Sequence, residues 1–341
     1  MKPAILITGG AGYIGSHTAY MMHQKGYKVI ILDTFLHNQQ PDLSWATIIK
    51  KDFADMPTLQ MIFSTYNIQA VMHFAALIQV GQSVTDPASF YQNNVAKTIT
   101  LLDTMIQHGI KKFIFSSSCA IYGKPFSLPL TEELPKTPIS PYGKTKLMVE
   151  ILLKDFKKAY ELEYVSLRYF NAAGAMPQFG LGEEHTPETH IIPLLLRSAL
   201  EQKPFSIFGT DYQTKDGSCI RDFIHIWDIA HAHYLALTYL QSGNPSDCFN
   251  LGTGKGFSVN QLIRAVEHTC GCKIEILHAR RRKGDPPILI ADPTKAYNVL
   301  GWKPHFSHLD SIITSAYEFE VAKRAKIKLF SPPNQQKQNN L

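Results

Sequence analysis

Ala4-Ile5-Leu6-Ile7-Thr8-Gly9-Gly10-Ala11-Gly12-Tyr13-Ile14-Gly15 decides the fold of this chain. Its first five residues are an apolar run of buried-strand length, and a helix-like stretch follows from Ser16 to Gln24. Gly9 permits a tight turn, Gly12 lets the backbone approach a pyrophosphate, and Gly15 seats the helix close on the strand. Free amides at the helix N-terminus attract the anion. A second apolar run, Lys28-Val-Ile-Ile-Leu32, ends in Asp33. That is about the distance from the last glycine at which an acidic residue takes the adenosine ribose hydroxyls and repels a 2′-phosphate. Together these features predict a dinucleotide site that prefers NAD to NADP.

Working outward, apolar strand-like runs at residues 4–8, 28–32, 70–74, 111–116 and 164–168 alternate with helical patterns near 14–25, 88–108 and 141–160. Repeated strand and helix units of this kind predict an α/β fold, a doubly wound parallel sheet of Rossmann type, with a second, smaller α/β substrate domain. The expected division is 1–174 for the dinucleotide domain, with return segments near 223–252, and 175–330 for the substrate domain. A Gly-, Glu- and His-rich loop from Met176 to His190 and a short helix from Ile192 to Gln202 open the second unit. The polar, proline-led end, 331–341, is expected to be disordered.

A chain of 341 residues exceeds one compact core, and 45% hydrophobic content suffices for two. No stretch reaches the apolar length of a membrane span, and Met1-Lys2-Pro3 runs straight into the first strand without a signal peptide, so a cytoplasmic protein is expected. Five unevenly placed cysteines suit free thiols in a reducing compartment. Cys270-Gly-Cys272 has no second pair to complete a zinc set, and no metal site is expected. A net charge of +6 with one short basic run, Arg280-Arg-Arg-Lys283, and no nucleic-acid motif points to an anionic small molecule rather than nucleic acid. Arginine forks suit phosphate oxygens, so Arg282 and Arg221 are diphosphate-clamp candidates, whereas Arg280 and Arg281 read as solvated surface.

The chemistry is carried by Ser140-Pro-Tyr-Gly-Lys-Thr-Lys146. Residues four apart on a helix rotate by about 400°, which places Tyr142 and Lys146 on one face. A fixed ammonium beside a phenol favours the phenolate and brings its proton affinity nearer the working pH, so Tyr142 is the expected proton-transferring group. Lys111-Lys-Phe-Ile-Phe-Ser116 delivers Ser118 at the carboxyl end of a strand, where open parallel sheets bind ligands. Its hydroxyl can align phenol and substrate oxygen. Neither Ser116 nor Ser117 is given a catalytic role. The trio Ser118, Tyr142 and Lys146 outlines a hydride-transfer site.

These residues resemble the extended short-chain dehydrogenase/reductase family and, within it, the UDP-glucose 4-epimerase group. The motifs that carry the resemblance are Thr8-Gly-Gly-Ala-Gly-Tyr-Ile-Gly-Ser-His17, His73-Phe-Ala75, Phe115-Ser-Ser-Ser118, Ser140-Pro-Tyr-Gly-Lys144, Arg168-Tyr-Phe-Asn171, Gly217 to Asp222 with Ile224-His225, and Arg282-Lys-Gly-Asp285. The resemblance implies that tightly held NAD takes and returns a hydride while UDP-glucose and UDP-galactose interconvert through a 4-keto sugar. It implies Tyr142 as the base, Lys146 on the nicotinamide ribose, and Ser118 on the sugar. The glycine loop, Tyr13, Ile14, Asp33, Asp52, Phe53, Phe74, Ala75, Asn93 and Phe170 would contact NAD. Asn171, His190, Phe208, Arg221, Arg282, Asp285 and, walling the sugar, Leu289 would contact the substrate. A homodimer through the helices near 88–108 and 141–160 is implied as well.

The chain departs from the family pattern in four places. The segment between Asp33 and Asp52 is short, Ile78 stands where relatives often carry a lysine near the cofactor, and His190 stands where many use asparagine. Leucine at 289 is smaller than the aromatic that excludes N-acetylated sugars, which leaves UDP-N-acetylglucosamine or a UDP-pentose as alternative substrates. Cys119-Ala120 after the serine strand, in place of acidic residues, argues against a nucleotide-sugar dehydratase. The clamp residues Asn171, Arg221 and Arg282 argue against a simple reductase.

Overall fold

The computed structural model describes residues 2–36, 42–124, 127–282 and 286–330. Seven parallel strands form the main sheet in the order Asp247–Leu251, Glu163–Tyr169, Lys112–Ser118, Ile68–His73, Ala4–Thr8, Lys28–Asp33, Thr47–Lys50. The first strand lies inside the sheet, next to the central strand Ile68–His73 and flanked by the second and the fourth, so the strand order reverses direction beside it. Ligands of doubly wound sheets bind outside the carboxyl ends at such a switch point.

Alternation along the strands builds two cores. Ile5, Ile7, Val29, Ile31, Ala70 and Met72 point to one face, where the helices Tyr13–Gln24 and Ile226–Gln241 cover them. Ala4, Leu6, Ile30, Leu32, Val71, Phe113 and Phe115 point to the other, under the helices Met56–Thr65, Lys97–Gln107 and Pro141–Tyr160. A side-chain period of two with both faces buried explains why the central strands read as unbroken apolar runs. A third core gathers Ile192, Leu195, Leu196, Leu262, Ile263, Val266, Ile312 and Ile313 from three helices, Ile191–Glu201, Val259–Cys270 and Leu309–Phe330.

The expected doubly wound sheet is present, with differences of detail. The strand expected to end at Ser116 continues to Ser118. The helical stretch near 88–108 is Pro87–Tyr91, a turn of π-helix at Gln92–Ala96, then Lys97–Gln107. Neither edge strand carries a clear apolar pattern: Thr47–Lys50 has only two apolar residues, and Asp247–Leu251 begins with two polar or half-buried ones. The helix Met56–Thr65 adds to the expected elements and is capped by Asp55, which accepts from the Thr58 amide at 3.1 Å. Among the described residues no helix is long and apolar enough to cross a membrane. The polar end, 331–341, lies outside the described residues.

Candidate active site

The glycine turn is fixed by crowding. A Cβ on Gly9, whose φ is +70°, would stand 2.5 Å from the Ala75 amide nitrogen, and one on Gly15 would stand 2.1 Å from the Gly9 carbonyl oxygen. Only glycines let the first strand, the helix and the end of Ile68–His73 converge. Gly12 caps the helix without a side-chain acceptor, and the first turn holds no acid, which leaves helix amides and the positive end of the dipole for an anion. Asp33 completes this end. Its two oxygens accept from the Ala11 amide at 3.0 Å and the Phe35 amide at 2.8 Å, which ties the acidic side chain to the glycine turn. The residues present fit a dinucleotide: an anion-ready helix end, a backbone approach that no side chain could share, and a carboxylate at the second strand's tip.

Ser118, Tyr142 and Lys146 meet at the carboxyl end of the fifth strand in sequence. Ser140 caps their helix, accepting from the Gly143 amide at 3.1 Å, with Pro141 in its first turn. A Cβ on Gly143 would fall 2.6 Å from the Ala120 carbonyl, so glycine there lets the helix press against the turn that follows Ser118. The Ser118 hydroxyl, which accepts from the Ala120 amide at 3.1 Å, faces the Tyr142 phenol closely enough to favour its charged form. Lys146 Nζ donates to the Ser116 carbonyl at 2.7 Å and lies 5.9 Å from the centre of the Tyr142 ring.

Burial dominates the electrostatics. It pushes the Tyr142 phenol up to about 12, against the opposing effect of the Ser118 hydroxyl, and it pulls the Lys146 amine down to about 7. The expectation that the ammonium would lower the phenol's proton affinity is therefore corrected for the protein's own groups, because both are desolvated and Lys146 is spent on a backbone carbonyl. Burial also raises the Cys119 thiol to about 12, so it is no nucleophile.

Several contributors carried no local sequence signal. Lys97 reaches Asp52 Oδ2 at 2.5 Å and Asn93 Oδ1 at 3.4 Å, and its one available clue was the four-residue spacing from Asn93. Asn94, in the π turn, is buried. It accepts from the Leu77 amide at 2.8 Å and donates to the Leu77 carbonyl at 2.9 Å and to Thr145 Oγ1 at 3.2 Å, which locks the segment after Ala75 to the Tyr142 helix. Below Ser118, Glu150 accepts from Ser117 Oγ at 2.6 Å and from both sides of the Arg168 fork at 2.9 and 2.6 Å.

A cavity of about 710 Å³ joins these groups. Gly9, Gly12, Ile14, Gly15, Asp33, Asp52, Phe53, Phe74, Ala75 and Asn93 line one end, Ser118, Tyr142, Lys146 and Phe170 the middle, and Asn171, Arg221 and Arg282 the rest, while Tyr13 and His190 share a corner with Glu183. Ile78 lines it too, with Lys51 and Lys97 as further cations. Arg221 is positioned by its neighbour Asp222, which is fully buried and accepts from Thr253, Gly254 and Ala291. Asn171 Nδ2 donates to the Asp222 carbonyl at 2.8 Å.

Two expected substrate residues are not in the lining. Phe208 ends the strand Phe205–Phe208 and lies under the Arg282 guanidinium, 4.2 Å from its ring centre, so it supports the arginine from outside. Leu289 pairs with Arg221 in a two-residue parallel bridge and packs its side chain on the first core. Asp285 lies outside the described residues.

Comparison with known proteins agrees with this geometry. The model of the NAD dependent epimerase/dehydratase family matches residues 5–252. The UDP-glucose 4-epimerase of Halalkalibacterium halodurans is 48% identical over 317 residues, covering 93% of this chain and 95% of that protein. The crystal structure of UDP-glucose 4-epimerase from Brucella ovis in complex with NAD superimposes with a TM-score of 0.90 at 43% identity, over 92% of this chain and 97% of that one. That from Bifidobacterium longum, in complex with NAD+ and UDP, gives 0.87 at 35% identity over 94% and 99%. The glycine turn, the Ser118, Tyr142 and Lys146 cluster and these relatives lead to one assignment: the chain belongs to the NAD dependent epimerase/dehydratase family.

Proposed function

We propose that the protein is an NAD-dependent epimerase that interconverts UDP-glucose and UDP-galactose, a step linking galactose to glucose metabolism. The observation that carries this reading is a single cavity whose lining joins Ser118 and Tyr142 to an anion-ready glycine turn with Asp33 and to Arg221 and Arg282. Bound NAD supplies the group that takes a hydride from sugar carbon 4 and gives it back, and in its oxidised form adds a positive charge to the site. Tyr142 Oη takes the proton of the 4-hydroxyl and later returns it. Ser118 holds that phenol in line, and Lys146, anchored on the Ser116 carbonyl, supports the charged form of the phenol when it carries its own proton.

The arginine forks of Arg221 and Arg282 suit the diphosphate, with Asn171 held on the carbonyl of Asp222, the neighbour of Arg221, and His190 elsewhere in the same lining. A firm hold on UDP leaves the 4-keto sugar free to turn and present its other face. Residues 1–174, with the returns near 223–252, would serve NAD, and 175–330 the UDP-sugar. Ile99, Met148 and Ile151 are 41–49% exposed on the two helices expected to pair, which supports a homodimer through them. Five free thiols suit the cytoplasm.

Purified protein given UDP-glucose and no added cofactor is expected to form UDP-galactose. Tyr142→Phe should slow this by about 10²- to 10⁴-fold while retaining bound NAD. Turnover that requires stoichiometric external NAD, or a Tyr142→Phe variant as fast as wild type, would overturn the proposal.

A further inference from the structure

The loop 176–190 gathers donor atoms that epimerisation does not call for, in a chain whose sequence suggests no metal site. Glu183, His185 and His190 each offer one ligand atom, and these lie within 4.8 Å of one another at the cavity wall. Glu183 is buried, with one oxygen on His185 Nδ1 and the other 3.6 Å from His190 Nδ1. Tetrahedral ligands about 2.0–2.1 Å from Zn²⁺ stand roughly 3.4 Å apart, so one edge of a coordination shell is nearly formed and ring rotations of about 1 Å would complete the others.

A second carboxylate stands behind the first. Glu188 Oε1 meets the same His190 Nδ1 at 2.8 Å, so an ion bound through that nitrogen would take the place of this hydrogen bond, and Glu188 Oε2 is buried without a hydrogen-bond partner. The Tyr13 phenol, buried and facing both carboxylates, is held strongly protonated. Two carboxylates withheld from solvent draw positive charge into this corner.

We propose that Glu183, His185 and His190 form a binding site for a divalent ion of the Zn²⁺ class, its remaining coordination position open to the cavity. Two imidazoles and one carboxylate are the donor set of zinc sites that keep an open position, whereas Mg²⁺ and Ca²⁺ prefer an all-oxygen shell. An ion there engages His190 and so competes with a nucleotide that needs it. That consequence rests on the proposed function, while the binding itself does not.

The test is equilibrium dialysis of purified full-length protein against Zn²⁺ alone, with wild type beside His185→Ala and Glu183→Gln. One Zn²⁺ per chain is expected in wild type, with affinity about ten- to a hundredfold weaker in each variant, unchanged melting temperatures and no comparable uptake of Mg²⁺. No zinc bound at stoichiometric excess, or variants that bind as tightly as wild type, would overturn the site. Should a variant misfold, X-ray absorption on zinc-loaded wild type decides: two nitrogen ligands with oxygen support the proposal, and a sulfur or all-oxygen shell refutes it.

Discussion

Replacing Arg168 with methionine should cost about 3–4 kcal/mol of stability at pH 7 and markedly less in mild acid. Arg168 and Glu150 are 3% and 6% exposed, joined by two charge-assisted hydrogen bonds, and Glu150 also takes the Ser117 hydroxyl. Methionine keeps much of the side-chain length and removes the charge, so the variant leaves a lone carboxylate in the interior. Removing one partner of a buried pair costs about 3–5 kcal/mol. The carboxylate's escape is to take up a proton, which at pH 7 lies about 2.7 units above the usual glutamic acid pKa near 4.3 and so costs about 3.7 kcal/mol. That escape caps the loss. At pH 5.5 it costs about 1.6 kcal/mol, so about 2 kcal/mol of the defect should vanish. The sign follows from linkage: a lone buried carboxylate has a raised folded-state pKa, the folded variant binds the proton more readily than the unfolded chain, and its deficit shrinks as pH falls through that range. Urea unfolding of both proteins at pH 7 and pH 5.5, followed by circular dichroism, measures it. A deficit under about 1 kcal/mol, or an equal one at both pH values, would refute the reasoning. Adding Glu150→Leu to Arg168→Met should restore most of the stability, because a well-packed apolar pair avoids the desolvation that the ion pair bears.

Two further outcomes are expected. Gly15→Ala puts a methyl group 2.1 Å from the Gly9 carbonyl, so the glycine turn must move. The variant should fold with a loss of about 1–3 kcal/mol yet purify without NAD, read from the nucleotide released on denaturation, and full retention of NAD would count against the cradle. Lys146, pulled down to about 7 from 10.5, should give NAD-stripped protein a stability that rises with pH by about 1.4 kcal/mol per unit above pH 7, because there the unfolded chain holds a proton that the folded one has released. Between pH 7.5 and 9 the Lys146→Met variant should lack this contribution, and identical slopes would show that the amine is not desolvated.

What could be read from the sequence was what lies close along the chain. The glycine turn, Asp33 at the next strand's tip and the Ser140 to Lys146 helix start are each one local device, with spacing set by turn and helix geometry. Contacts between distant segments were invisible. Lys97 and Asp52 are brought together from different segments, Glu150 and Arg168 from a helix and its neighbouring strand, and no periodicity announces either pair. The two edge strands failed for a different reason, since an edge buries less and so needs fewer apolar residues. Phe208 and Leu289, which the resemblance implies as substrate contacts, lie outside the cavity lining, because in a lobe built of two- to four-residue strands a residue's place in the chain does not fix which face it presents.

The two ends of the cavity are built to different tolerances, and that difference bears on the reaction. Around Ser118 and Tyr142 each support is backed by another: the Ser140 cap, the close approach at Gly143 and the Glu150–Arg168 fork under Ser117 hold the serine strand and the Tyr142 helix in register, and the Asn94 clamp ties the segment at Leu77 to that helix. Proton transfer falls off steeply with misalignment, so that rigidity belongs where the phenol works. The far wall is made of the loop 176–190, short strands and a stacked arginine, with side chains that reach the cavity from separate segments. Such a wall can close on a nucleotide by small movements without disturbing the serine strand, because Asp222 anchors Arg221 to the loop at Thr253 and Gly254 and to Ala291 rather than to the Tyr142 helix. Fixed chemistry beside an adjustable clamp is the mechanical arrangement that lets a sugar with a trigonal carbon 4 turn on its bound nucleotide without loss of proton-transfer geometry.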